Sequence, residues 1–248
     1  MDKIRKPFQG VLNIIRFNWH FYIIAIVFTL GLFILKQFLP DPFSFLATIT
    51  ILTILFSVFI TLLVSFYIYD LSTLYKLNWI KPANSEQTIL NIHAGFDEIS
   101  YLLKNKINHA NLIVIDFYDP LKHTEISIER ARKRYSIYPG TTKSSTSALY
   151  LTDRSIDKIF VFLSAHEIRD TSERIVFFNE LKRTIRDNGQ IYVTEHLRDF
   201  PNFIAYNIGF FHFFSKPTWL NTFSKSGLVL EKEIKITPFI STFILTKQ

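Results

Sequence analysis

The 248-residue chain contains no cysteine, and only seven glycines against 26 phenylalanines. Without cysteine there are no disulfides, thiolate metal sites or cysteine nucleophiles, and the absence agrees with a reducing compartment. So few glycines leave no glycine-rich phosphate loop, which weighs against a nicotinamide-dependent oxidoreductase. Charge is missing from two long stretches. Residues 17–35 hold no acid, lysine or arginine, and residues 43–69 hold no ionisable side chain except terminal tyrosines. The whole chain is 48% hydrophobic with a positive mean hydropathy, more apolar than a water-soluble protein of this size usually is, which excludes disordered and collagen-like classes.

The two uncharged stretches predict membrane-spanning helices over about 17–37 and 43–69. Nineteen helical residues reach roughly 28 Å, close to the thickness of a bilayer's hydrocarbon core. The intervening turn has Asp41 between Pro40 and Pro42, so the pair reads as a helical hairpin. The competing reading is a hairpin buried in a soluble domain. A cleaved signal peptide fits poorly, because no small-residue cleavage pattern follows the first stretch and a second span comes at once. Lys3, Arg5, Lys6 and Arg16 precede the first span and Lys76 and Lys81 follow the second, while the turn carries only Lys36. This distribution predicts an integral membrane protein with both termini and the following domain cytoplasmic. Trp19, Tyr22, Tyr67, Tyr69 and Trp79 suit the interfacial belts. The domain organisation is therefore an anchor over 1–79 and a second domain over 80–248, with the lipid bilayer as a partner.

The net charge of +7 is spread along the chain. Between residues 80 and 248 there are 22 Lys and Arg against 18 Asp and Glu. The densest basic run, 130–134, reads as a solvated helix face or one turned to anionic lipid, and no nucleic-acid partner is expected.

From Gln87 onward strand and helix patterns alternate. Apolar runs at 88–93, 111–117, 158–163 and 190–195 predict buried strands. Helical stretches are expected at 97–107, 124–135, 170–186 and 219–226. Asp170 and Glu173 form a capping box, Asn188-Gly189 marks the end of one helix, and Gly227 is placed to cap another. Residues 200–214 are aromatic and irregular, and 228–236 and 240–247 read as two final strands. The pattern predicts an α/β fold with a doubly wound parallel sheet closed by an antiparallel hairpin.

In such a sheet ligands bind beyond the carboxyl ends of the strands. Titratable residues gather there: His93 to Glu98 after the first strand, Asp116 and Asp119 after the second, His166, Glu167 and Arg169 after the fourth, and Glu195, His196 and Arg198 after the fifth. Asp116 suits the two hydroxyls of a ribose. Gly95 allows a tight turn or close approach of backbone to ligand. Asp97 and Glu98 disfavour a phosphate and favour a cationic or zwitterionic ligand.

These segments resemble class I S-adenosylmethionine-dependent methyltransferases over roughly residues 87–247. The likeness rests on Ile89-Leu-Asn-Ile-His-Ala-Gly95, the strand ending at Asp116, and residues 151–157 leading into Lys-Ile-Phe-Val-Phe-Leu. It continues through Leu-Ser-Ala-His-Glu-Ile-Arg-Asp170, Phe177 to Arg183 and Asn188-Gly-Gln190. The resemblance implies a Rossmann-like sheet of seven strands, the last antiparallel, with S-adenosylmethionine across the first two strand ends. It implies Gly95 under the methionine moiety, Asp116 on the ribose, and Ser145, Thr146 and Ser147 beside the adenine. The family's first motif is an acid followed by three glycines at alternate positions. Those four positions are Asn91, His93, Gly95 and Asp97 here.

Methyl transfer to a phenol or an acidic carbon is helped by a base, and His166, Glu167 and His196 are the candidates, with Glu195 beside them. His166 is the first choice, against the alternative of a packing histidine. Arg169 and Arg198 are placed either to bind an anionic acceptor or to pair with Asp170 and Asp199. The histidines and acids have no compact zinc spacing, so no metal is expected. Residues 202–214 form either an aromatic cover over the cleft or a helix packed on the sheet or lying at the membrane. The expected acceptor is a small hydrophobic or lipid-like molecule. The alternative function is a non-catalytic binding or scaffold module at the membrane.

Overall fold

The computed structural model describes residues 5–80 and 87–248. Lys3 and Lys81, used above to orient the hairpin, lie outside the described residues. The chain opens with α1 (Gln9–Phe17), α2 (Trp19–Leu35) and α3 (Phe43–Phe66). At 1.5 Å per residue α2 and α3 extend ~26 and ~36 Å. Both are long and apolar enough to cross a membrane. No residue of α2 is buried, and only 11% of the most apolar window around α3 is. Their side chains therefore face outward in this chain.

α1 is an amphipathic helix that lies before the first span and was not anticipated from the sequence. Its first N–H groups are capped from a distance by Asp70, which accepts from Gly10 N and Val11 N, both at 2.8 Å. Gly10 is required there, because a Cβ would collide with Tyr69 Cβ. Asp70 and Tyr69 belong to a widened helical turn, Tyr67–Leu71, that carries α3 out of its regular path. The chain then enters the α/β core. Ile68, Leu74, Leu77 and Ile80 are fully buried against one face of the sheet, among Ile89, Phe160 and Tyr192. Tyr69 and Trp79 consequently leave the belt positions expected of them. Trp79 packs on Tyr192 with ring centres 5.6 Å apart, and Tyr69 bonds to His196.

The sheet is built from β1 (Thr88–His93), β2 (Asn111–Asp116), β3 (Thr142–Lys143), β4 (Ile156–Phe162), β5 (Ile185–His196), β6 (Leu228–Thr237) and β7 (Ile240–Lys247). Their spatial order is β3-β2-β1-β4-β5-β7-β6. β7 alone runs against its neighbours, pairing antiparallel with β5 and β6. This is the seven-strand Rossmann-like arrangement that the methyltransferase resemblance implies. β1, β2, β4 and β5 each hold an apolar stretch because helices or the post-hairpin segment cover both faces there. The connecting helices are α4 (Ser100–Lys106), α5 (Ile126–Arg134), α6 (Thr171–Thr184), α7 (Phe200–Tyr206) and α8 (Lys216–Lys225). α6 and α8 bury Phe177, Phe178, Trp219 and Phe223 against the face opposite Ile68 and Leu74. Asp170 caps α6 through Glu173 N at 2.7 Å, and Gly227 ends α8 at φ +61°.

One expected boundary moves. Asn188-Gly189 does not end a helix: α6 stops at Thr184 and β5 has begun at Ile185. Ile185 pairs with Ile156 and the register then shifts, so that Gln190 pairs with Lys158. The residues between, Gly189 included, form the irregular start of the strand rather than a turn before it. The third strand, implied by the seven-strand resemblance but not placed, is the two-residue β3, too short to leave an apolar pattern.

The close seat of α1 gives a first prediction. Gly10→Ala should lift α1 off Tyr69 while leaving the sheet intact. Limited proteolysis of the detergent-solubilised protein should then cut within residues 9–18 much faster than in the parent, with the fragment from residue 87 onward remaining resistant. Equal cutting rates would contradict the packing described.

Candidate active site

The sheet reverses its winding between β1 and β4, and the crevice at their carboxyl ends is where such folds place ligands. On the β1 side Asn91 and Asp97, both at positions that are not glycine, bond to each other. Asn91 Nδ2 donates to Asp97 Oδ1 at 3.0 Å and to Ser100 Oγ at 2.8 Å, and the same Asp97 oxygen accepts from Ile99 N and Ser100 N. Asp97 thereby caps the start of α4, and the turn is closed by side chains. His93 Nδ1 accepts from Gly95 N at 3.0 Å, so its Nε2 carries the proton. Burial pushes the His93 pKa down, against the pull of Asp97 and Asp116, and favours this neutral form. Gly95 has φ +88°, a conformation L side chains rarely adopt.

Asp116 ends β2 beside His93 and is buried. Its Oδ1 accepts from Tyr118 N at 2.9 Å, and its Oδ2 accepts from Arg132 Nη1 at 2.6 Å. The Arg132 guanidinium lies over the Tyr118 ring and over Gly95, where a Cβ would run into it. The basic run is thus not a uniformly solvated face. Arg132 turns in to Asp116, Arg130 reaches the Phe17 carbonyl at the end of α1, and Lys133 stays on the surface with Glu129. Ser144 N bonds to Asp116 O, which brings the 144–148 loop to the end of β2. Within that loop Thr146 is buried and donates to Glu173 of α6, while Ser145 and Ser147 bond to each other at the surface.

S-adenosylmethionine can be tested against this cradle. Its amino-acid end needs a donor for a carboxylate and an acceptor for an ammonium group. Among the described residues, His93 Nε2 and Asn91 Oδ1 are buried and without a partner. The group over Gly95 is the mobile end of a side chain, not backbone. The residues therefore fit the cofactor once Arg132 swings away from Asp116.

The second half of the site follows β4 and β5. Leu163, at φ 47°, leads into a single 3-10 turn, Ala165–Glu167. Glu195, fully buried at the end of β5, faces this turn and accepts from His166 Nδ1 at 2.6 Å. The other nitrogen, Nε2, lies 3.2 Å from Glu167 Oε1, which is itself 3.7 Å from His212 Nε2. Burial would lower the His166 pKa, but the charge of Glu195 and the hydrogen bonds to Glu167 and Glu195 outweigh it and push it up to about 10. For Glu167 burial is likewise outweighed, by hydrogen bonds from His166 and His212 that hold it well below the usual carboxylate range.

His196 does something different. Asn202 Nδ2 is spent on Asp199 and Phe239 O, so Asn202 Oδ1 accepts from His196 Nδ1 at 3.0 Å. His196 Nε2 then accepts from Tyr69 O–H at 2.8 Å. The ring stacks on Phe213 at 4.7 Å, and burial lowers its pKa to about 4. Both nitrogens are committed, and His196 ties the end of the hairpin to β5. The structure thus brings His166 and Glu167 together and sets His196 apart from them.

His212 completes the cluster, yet nothing in its spacing from His166 announces it. Only the fold of residues 207–214 carries it there. Arg169 and Arg198 hold that segment by its carbonyls: Arg169 donates to His212 O at 2.6 Å, and Arg198 to Phe211 O and Phe213 O at 2.8 Å each. Among the described residues neither forms the ion pair expected of it with Asp170 or Asp199. His166, Glu167 and His212 also offer three donor atoms within 4.8 Å of one another, the spacing of a metal site. A guanidinium nitrogen of Arg169 contacts His212 Nδ1, and together with the His166 imidazolium it offsets the charges of Glu195 and Glu167. A groove of about 530 Å³ lined by Tyr118, Glu125 and Arg132 lies along α5, and Glu125 at its side is 3.8 Å from His212 Nδ1.

No protein-family model matches the chain, and no curated protein matches it. Solved structures do. A SAM-dependent methyltransferase from Aquifex aeolicus shares 16% identity over 64% of this chain and 81% of its own, with a TM-score of 0.46. One from Methanosarcina mazei shares 15% over 66% and 94%, with a TM-score of 0.49. An O-methyltransferase of neocarzinostatin biosynthesis, solved with S-adenosylmethionine and 2-hydroxy-5-methyl naphthoic acid, shares 12% over 65% of this chain and 49% of its own, with a TM-score of 0.47.

Removing the guanidinium would leave a buried carboxylate with one fewer partner. Arg132→Ala should lower the thermal midpoint by the equivalent of about 1–3 kcal/mol. Arg132→Ala combined with Asp116→Ala should recover part of that loss. An unchanged midpoint in the single variant would show that the pair is not formed.

Proposed function

We propose that the protein is an S-adenosylmethionine-dependent methyltransferase, anchored in the membrane by α2 and α3. Its α/β domain and both termini lie on the cytoplasmic side, and it acts on a small hydrophobic or lipid-like acceptor. The observation that carries this reading is a pairing at one sheet edge. The His93–Gly95–Asp116 cradle and the His166–Glu167–Glu195–His212 cluster line the ends of neighbouring strands.

When bound, S-adenosylmethionine supplies an electrophilic methyl group. Asp116 would hold the ribose hydroxyls, Gly95 would let the backbone lie close, and His93 Nε2 and Asn91 Oδ1 would meet the amino-acid end. The residues after β4 and β5 handle the acceptor. Once Nε2 parts from Glu167 Oε1, neutral His166 takes a proton there while Glu195, across Nδ1, fixes the ring and stabilises the imidazolium that results. A base with a pKa near 10 matches a phenol, whose own pKa is about 10, so the transfer is close to balanced. The same strength means that only about one molecule in a thousand offers a neutral His166 at pH 7. Glu167 and His212 border the same space. The two apolar helices and the exposed aromatic segment after β5 favour an acceptor with a hydrophobic body.

A non-catalytic scaffold draws support from a different observation, the Arg132 guanidinium lying over Gly95 and occupying Asp116. The two readings separate in one experiment. Full-length protein in lipid nanodiscs is given methyl-labelled S-adenosylmethionine and a long-chain phenol. Labelled ether should form, and its rate should climb with pH from 7 towards about 10 as His166 loses its proton. In Glu195→Gln the main charge holding that proton is gone, so the rise should end at lower pH. No transfer at any pH supports the scaffold. Transfer with the same pH profile in Glu195→Gln removes His166 as the base.

A further inference from the structure

The segment after β5 leaves the sheet and lies against α3. Phe200, Phe203 and Ile204 fall on one face of α7, and Ile208 and Phe211 extend the same apolar surface into the 3-10 turn Asn207–His212. These side chains are open: Phe200 is 74% exposed, Ile208 81%, Phe211 61% and Phe203 43%. The opposite face, Asn202 and Ala205, is buried. Two hydrogen bonds fix the segment beside the middle of α3. Thr61 Oγ1 donates to Ala205 O at 2.7 Å, and Asn207 Nδ2 donates to Ser57 Oγ at 2.6 Å.

Those partners set a depth. Ser57 lies nine residues before Phe66, the end of α3, or ~14 Å along the helix. α3 exceeds a ~30 Å hydrocarbon core by ~6 Å. Even with that whole excess at the Phe66 end, Ser57 stays ~8 Å inside. The backbone bonding suits such a place, since hydrocarbon supplies no water to unpaired carbonyls. Ala205 O, freed at the end of α7, is met by Thr61, and Phe203 O by Asn207 N. The later carbonyls, Phe211, His212 and Phe213, are met by the exposed guanidinium groups of Arg198 and Arg169, which suit the headgroup level.

We infer that α7 and the turn after it lie within the hydrocarbon layer beside α3, as a non-spanning insertion whose far end delivers His212 to Glu167. The inference rests on α2 and α3 being membrane spans. It narrows the acceptor to an amphiphile whose apolar body stays in the bilayer while its polar atom reaches His166.

The chain lacks cysteine, so single-cysteine spin labels report without a background. Full-length Phe203→Cys, Ile208→Cys and Phe211→Cys, with Leu55→Cys in α3 and Tyr150→Cys on the α/β domain as references, are reconstituted in phosphatidylcholine vesicles. Collisions of the label with oxygen and with a water-soluble nickel chelate are then measured. Labels at 203 and 208 should collide with oxygen and be shielded from nickel, as at 55. The label at 211 should fall between 208 and 150. Nickel access at 203 and 208 equal to that at 150, with 55 shielded, overturns the insertion and leaves the anchor standing. Shielding at 203 and 208 from both reagents means protein covers the face, which also overturns it. Nickel access at 55 sinks the anchor and the insertion together. These positions are at least two-fifths exposed, so the substitutions remove no core contact.

Discussion

The carboxyl edge of the sheet is held against the N-terminal hairpin at two points, and the site's geometry depends on that constraint. On one side α1 meets α5: Tyr135 donates to Asn13 at 2.8 Å, and Phe17 packs edge-on against Phe96, the residue after Gly95. On the other side α3 meets α7 through Ser57 and Thr61. Between them the widened turn at Tyr67–Leu71 sends Tyr69 to His196 and Ile68 into the core. The hairpin is therefore part of the α/β domain's own packing. Each half of the crevice is roofed by an element attached to it.

The two halves hold opposite electrostatic problems. At the β1–β2 end a buried carboxylate is matched by an arginine that has a flexible, partly exposed stem, so the pairing is reversible in design. At the β4–β5 end two buried carboxylates are matched by imidazoles with little freedom. A ligand entering the first half competes with Arg132 for Asp116. A group entering the second meets a proton held between Glu195 and Glu167. The cost of leaving a buried carboxylate bare explains why all three are paired.

Much of this was legible in the sequence. The strands announce themselves because both faces are covered along part of β1, β2, β4 and β5, and each contains a short apolar run there. The acids and histidines at their ends follow from the rule that places ligands at that edge. His166, Glu167 and Asp116 were reachable in this way. What was not legible depends on tertiary position. Arg132 belongs to a basic run that looks solvated, and only the seat of α5 turns it inward. His212 reaches Glu167 because Arg169 and Arg198 fold residues 207–214 back. His196 looks as catalytic as His166 until Tyr69, far away in sequence, takes its second nitrogen. Asn188-Gly189 misled because a bulge at a strand's start uses the same residues as a turn.

The central claim is that the β1–β2 cradle takes S-adenosylmethionine when Arg132 gives way. Calorimetric titration of the full-length protein in nanodiscs with S-adenosylhomocysteine, alongside Asp116→Ala, tests it most directly. The account predicts saturable binding at micromolar affinity that is lost in Asp116→Ala. No binding by the folded parent protein, or equal binding by the variant, would contradict it.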